Sequence, residues 1–161
     1  MSQVPALGPR GEGWVLLQLA VLGLIGLAGL FLSTPEPDSW SSVGSVAGTV
    51  LLLAGAALGL AGISGLQGGD ALTAVPRPRD EASLVETGAY SLVRHPIYGA
   101  LILGSIGWAL LRGSPAALAA TALLFVVLDL KRRREELMLL ERYPGYAAYR
   151  TRTRRFIPWI W

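Results

Sequence analysis

The chain has a single histidine, His95, set in Arg94-His95-Pro96-Ile97-Tyr98-Gly99 where a polar stretch gives way to an apolar one. Proline suits the first position of a helix, because the amide hydrogen it lacks has no partner there in any case. A helix starting at Pro96 presents unpaired N–H groups and the positive end of its dipole beside Arg94, a corner suited to an anionic group. The same residue types also serve as a plain anchor at a membrane surface. The second constellation is Glu135-Glu136. Asp129, Arg133, Glu136 and Leu140 follow at i, i+4, i+7 and i+11, which puts Glu136 on one stripe of a helix while Glu135 points about 100° away. Read alone, the pair is equally a solvated face neutralised by neighbouring arginines.

The elements that must position these groups are apolar. Of 161 residues 52% are hydrophobic and only 16% charged, too few charges for an ordinary water-soluble domain of this size. The acidic and basic residues avoid the long apolar runs, as the cost of charge in hydrocarbon requires. The expectation is an all-α polytopic membrane protein, one domain over 1–161, with about four transmembrane helices. Two N-terminal spans fall within 14–66: Trp14 to Leu32, then Val43 to about Leu66, separated by an acidic turn holding Pro35, Glu36, Pro37 and Asp38. The first run is too long for the apolar part of a cleaved signal peptide, so it is read as a span. In the second, Gly44, Gly48, Gly55 and Gly59 lie on a face where another backbone can come close.

A polar connection from Gln67 to Val93 carries Arg77 and Arg79. Two shorter apolar segments, Tyr98 to Leu111 and Ala116 to Leu130, are joined at Arg112-Gly113-Ser114-Pro115 and read as a C-terminal helical hairpin, either spanning or re-entrant. The run Lys131-Arg132-Arg133-Arg134 continues the last helix into water, and Pro144-Gly145 ends it. From Tyr146 to Trp161 arginines mix with Phe156, Trp159 and Trp161, which suits an amphipathic cytoplasmic tail lying flat on the headgroup layer. Placing both termini in the cytoplasm puts Arg10, the Arg77 to Arg94 loop and Lys131 to Arg134 inside and leaves Arg112 alone outside, as the positive-inside rule asks. The 14 basic residues cluster beside membrane segments, so anionic lipid and topology account for them better than nucleic acid does. There is no cysteine, which removes disulfides, thiolate metal sites and cysteine nucleophiles, and no metal ligand set is expected.

Taken together, Gly88-x-Tyr90, Arg94-His95-Pro96-x-Tyr98, the hairpin, Glu135-Glu136-x-x-Leu139, Tyr143, Tyr146, Tyr149 and Arg155-Phe156-Ile157-Pro158 resemble the isoprenylcysteine carboxyl methyltransferase and phospholipid methyltransferase superfamily. The resemblance covers roughly 84–158 and lies in the order and spacing of these motifs. One departure is that Gly99 directly follows Tyr98, where members often place a small residue one position later, here Ala100. The resemblance implies an enzyme that transfers the methyl group of S-adenosylmethionine at the cytoplasmic membrane surface to a lipophilic acceptor, either an isoprenylcysteine-like carboxylate or a phospholipid amine. It further implies that Tyr90, Arg94, His95, Pro96, Tyr98, Glu136 and Tyr146 hold the cofactor, and that Glu135, Arg150 and Arg154 serve acceptor and catalysis. Tyr143 and Tyr149 frame the adenine or anchor at the interface.

Two other classes fit the composition. A membrane steroid-reductase-like enzyme using NADPH carries a similar Arg-His-Pro element, but the paired glutamates and the short length favour methyl transfer. A small four-helix transporter wants a carboxylate within the membrane, and the two N-terminal spans hold none, Gln18 being their most polar interior side chain. The acceptor and the oligomeric state are left open by the sequence.

Overall fold

The computed structural model describes residues 5–9, 11–34, 38–68 and 84–160. Arg10, the Pro35 to Pro37 turn, Arg77, Arg79 and Trp161 lie outside the described residues. The described chain is all-helical: α1 (Glu12–Phe31), α2 (Asp38–Gly68), a short 3-10 turn at Gly88–Ser91, α3 (Pro96–Leu111), α4 (Pro115–Arg142) and α5 (Tyr146–Arg152). No strand occurs among the described residues, only one isolated parallel bridge between Val93 and Arg154.

Two helices, α1 and the Ser42–Gln67 stretch of α2, are long and apolar enough to cross a membrane. Their large side chains point outward: Leu16, Leu19, Leu27 and Leu30 on α1, and Val46, Val50, Leu53 and Leu60 on α2, are all more than half exposed. Such a surface suits lipid rather than water. The inward stripe of α1, Trp14, Val21, Ile25 and Ala28, packs into one core with Ala117, Leu124, Val127 and Leu128 of α4. At 28 residues, about 42 Å of helix, α4 runs unbroken from the apolar core through the charged stretch.

The sequence suggested a hairpin of α3 with α4. These two do follow one another across the turn at Arg112 to Ser114, yet each finds its main partner elsewhere, α3 on α2 and α4 on α1. Small residues explain the first pairing. A methyl group on Gly48 would lie 2.7 Å from the Gly107 carbonyl oxygen, and one on Gly107 would lie 2.7 Å from that of Gly48. The glycine face of α2 thus serves packing within the chain. At the far end Ser114 caps α4 by accepting from the Ala117 amide, and its hydroxyl reaches the carbonyls of Ala28 and Leu32 at 3.1 and 2.9 Å. Arg112 donates to the Gly29 carbonyl at 3.0 Å.

The tail departs from expectation. After α5 it folds back along Leu92 to His95: the Arg154 amide donates to the Leu92 carbonyl (3.0 Å), and the Arg94 and His95 amides donate to the carbonyls of Arg154 (2.8 Å) and Arg155 (3.0 Å). Phe156 is driven under this strap, 1% exposed, with its ring 5.9 Å from Phe125 and 6.3 Å from Tyr98. The physical reason is a vacancy of side chain at Gly99, where any Cβ would collide with the Phe156 carbonyl. Trp159 and Ile160 alone among the described tail apolars stay fully outside, at 83% and 77% exposed. The strap seats the start of α3, and with it the site.

Candidate active site

Pro96 starts α3 and His95 is its N-cap residue, but the corner is not open. The anion it receives is the chain's own Glu136, brought over by α4. Arg94 donates through Nε to Glu136 Oε1 at 3.0 Å, and His95 Nε2 lies 3.3 Å from the same oxygen. Arg132, one turn before Glu136 on α4, holds Oε2 at 3.1 Å, and Arg150 approaches it at 3.9 Å. Glu136 is 4% exposed. Burial on its own would raise this carboxyl, but the His95 hydrogen bond and charge, with those of Arg94, outweigh burial and hold it at about 2. Glu136 is therefore not part of a solvated helix face: it is an enclosed hub whose four basic neighbours come from three separate stretches of chain.

Glu135 is the more accessible carboxylate, its side chain 23% exposed. The Tyr98 hydroxyl donates to its Oε2 at 2.9 Å, and His95 Nδ1 lies 3.7 Å from that oxygen. Tyr98 and His95 stack, with ring centroids 5.2 Å apart and planes 13° from parallel. His95 thus stands between the two glutamates, one ring nitrogen toward each.

Arg94 also ties down the strap, its Nη1 reaching the carbonyls of Thr153 (2.5 Å) and Arg150 (3.1 Å). Around it opens a cavity of about 310 Å³ lined by Arg94, Arg150, Thr151, Thr153, Arg154 and Arg155. Arg150 and Arg154 therefore meet in one basic concavity, as the sequence reading grouped them, although Arg154 makes no contact with Glu136 among the described bonds. Behind the cluster Tyr149 donates to the Tyr90 carbonyl at 2.7 Å and packs edge to face on Tyr146 at 5.7 Å. Burial first, then the charge of Glu136, pushes the Tyr146 phenol up, and burial does the same to Tyr90 and Tyr149. Tyr146 is 1% exposed, yet its hydroxyl has no hydrogen-bond partner among the described residues.

Not every residue grouped with the cofactor converges. Pro96 packs against α2, where a Cβ on Gly62 would lie 3.0 Å from its Cγ, a contact that seats the helix start. Tyr143 stands half-buried at the end of α4 under Arg142. Sequence reasoning missed Arg132 and Thr153. Arg132 was legible as the i−4 neighbour of Glu136, whereas Thr153 joins only because the tail folds back. It also missed Lys131, a residue 2% exposed whose ammonium donates to Gln18 on α1 at 2.9 Å and lies 5.1 Å above the Tyr98 ring.

The described chain is thus all-helical, with two membrane-length helices and a buried Arg-His-Glu cluster at one helix start. Residues 43–145 match the model of the phospholipid methyltransferase family, more than half of the chain, and the chain belongs to that family, within the isoprenylcysteine carboxyl methyltransferase-like superfamily. A curated relative is the cobalt-zinc-cadmium resistance protein CzcN of Cupriavidus metallidurans, 37% identical over 81 residues, which are 50% of this chain and 38% of the relative. The matched stretch thus spans well under half the length of that relative. Among the described residues no three His, Cys, Asp or Glu side chains gather as a metal site.

Proposed function

We propose that the chain transfers the methyl group of S-adenosylmethionine to a lipophilic acceptor at the cytoplasmic face of a membrane that it crosses four times, both termini inside. The observation that carries this reading is the Tyr146 hydroxyl, buried without a partner among the described residues and within reach of the charges of Glu136 and Arg94. A buried hydroxyl left unsatisfied costs about 1 to 3 kcal/mol, and a bound ligand's polar group would repair it. The residues fit the cofactor: Tyr146, Tyr90 and Tyr98 offer aromatic faces and a hydroxyl to its adenosine part, and Arg94 and His95 polar donors to its amino-acid part. When bound, S-adenosylmethionine supplies an electrophilic methyl on a sulfonium sulfur.

The chain's own residues then have separable tasks. Glu136 acts through Arg94 and His95, keeping both in place. Glu135, partly open, accepts the proton that an amine acceptor gives up, with Tyr98 fixing its direction. Arg150 and Arg154 grip an acceptor that arrives as an anion. Rate comes mainly from alignment and from exclusion of water beneath the strap. The test is turnover of radiolabelled methyl into lipid-soluble product by Glu135→Gln, with Glu141→Gln, an exposed carboxylate one to two turns on, as control. Glu135→Gln is expected to fold normally and lose about 100-fold or more of its turnover. Equal rates in the two variants would refute the role given to Glu135.

A further inference from the structure

Lys131 has no task in the account above, and its placement calls for one. A lysine at the edge of a membrane helix ordinarily extends its stem along the apolar surface and leaves its ammonium in water. Lys131 does the opposite. It is 2% exposed, and its Nζ turns inward to the side-chain oxygen of Gln18 at 2.9 Å. Desolvating an ammonium is costly unless its partners are well placed. Here they include the Gln18 amide and the face of Tyr98, 5.1 Å from Nζ. The Glu135 carboxylate adds favourable charge. Tyr98 in turn touches the site directly: it stacks on His95 and donates to Glu135 at 2.9 Å. Gln18, the most polar side chain inside the two N-terminal spans, sits on α1, outside the stretch that matches the family model.

We propose that Lys131, held in part by Gln18, is a positioning residue that fixes the Tyr98 ring, so that this hydrogen bond makes α1 part of the methyl-transfer site. The inference deepens the reading of the site as a methyltransferase, and the experiment separates the two. His95 is the chain's single histidine, so the purified full chain with labelled histidine gives one imidazole signal by NMR, sensitive to the ring stacked on it. Gln18→Leu removes the acceptor for Lys131, and Gln18→Glu restores one. Trp108→Phe removes another hydrogen bond to α1, the 3.3 Å bond from the Trp108 indole to the Ile25 carbonyl, far along α3 from His95. The His95 signal is expected to move in Gln18→Leu and to stay at its wild-type position in Gln18→Glu and Trp108→Phe. Turnover is expected to fall about tenfold or more through kcat in Gln18→Leu alone, since small misplacements at a reacting centre cost that much. A His95 signal unmoved by Gln18→Leu, or moved equally by Trp108→Phe, overturns the proposal. A signal that behaves as expected in a protein that transfers no methyl group leaves the positioning intact and refutes the methyltransferase reading instead.

Discussion

Glu136 and Glu135 are neighbours in sequence with opposite surroundings, and substitutions should separate them. Glu136 is enclosed by Arg94, His95 and Arg132, so Glu136→Gln takes from the buried Arg94 guanidinium its carboxylate partner, while Arg132 keeps Asp129 at 2.7 Å. Breaking a buried pair in this way costs about 3 to 5 kcal/mol. A clear fall in melting temperature in detergent is expected, with Glu141→Gln unchanged because that side chain is exposed. Acid gives the same contrast. The Glu136 carboxyl is held at about 2, below its ordinary 4.5, so the stability from its ionised form is complete above pH 4.5 and is lost as pH falls toward 2. The stability advantage of the wild type over Glu136→Gln should therefore shrink over that window and persist above it. An advantage constant from pH 6 to pH 3 would show that the ionised carboxylate is not what stabilises the cluster. The residue types at this site were legible in the sequence: Arg94, His95, Tyr98 and the glutamate pair do converge. Which glutamate is enclosed was not legible, because that depends on Arg132, Arg150 and the strap arriving from different elements. The corner at the start of α3 read correctly as a place for an anion, but sequence spacing does not say that the anion is internal.

Two close approaches hold the elements that carry these residues. The backbones of α2 and α3 touch at Gly48 and Gly107, so Gly48→Val forces overpacking worth about 1 to 3 kcal/mol or more. Gly23→Val on α1 is the matched control, since nothing lies within 4 Å of the Cβ it would gain. Thermal unfolding in detergent should report a loss in the first and little change in the second. Similar losses in both would mean that the glycines of α2 do not set its packing on α3. The spacing of small residues announced a packing face on α2, and the partner was open between another chain and this one. The structure answers it with α3. The strap was hidden for a different reason: a segment mixing arginine, phenylalanine and tryptophan has the composition of an interfacial tail, and what draws Phe156 inward is the missing side chain at Gly99, 57 positions earlier.

Across the whole chain, apolar helices were the clearest sequence signal, because lipid demands long uninterrupted runs. α1 and α2 match the expected N-terminal spans to within a few residues, whereas α3, with 16 residues, is short for a bilayer. If the chain crosses four times, single cysteines placed in this cysteine-free sequence at Gly113 and at Glu141 should label oppositely from outside intact cells, Gly113 reacting and Glu141 protected. Labelling of neither would mark α3 and α4 as a re-entrant pair. The central claim is the donor. Equilibrium binding of radiolabelled S-adenosylmethionine and of NADPH to the detergent-purified full chain tests it without reference to the acceptor. The account predicts saturable S-adenosylmethionine binding that weakens strongly in Tyr146→Phe, which removes a buried hydroxyl without a partner among the described residues, and no saturable NADPH binding. Saturable binding of NADPH with none of S-adenosylmethionine would contradict it.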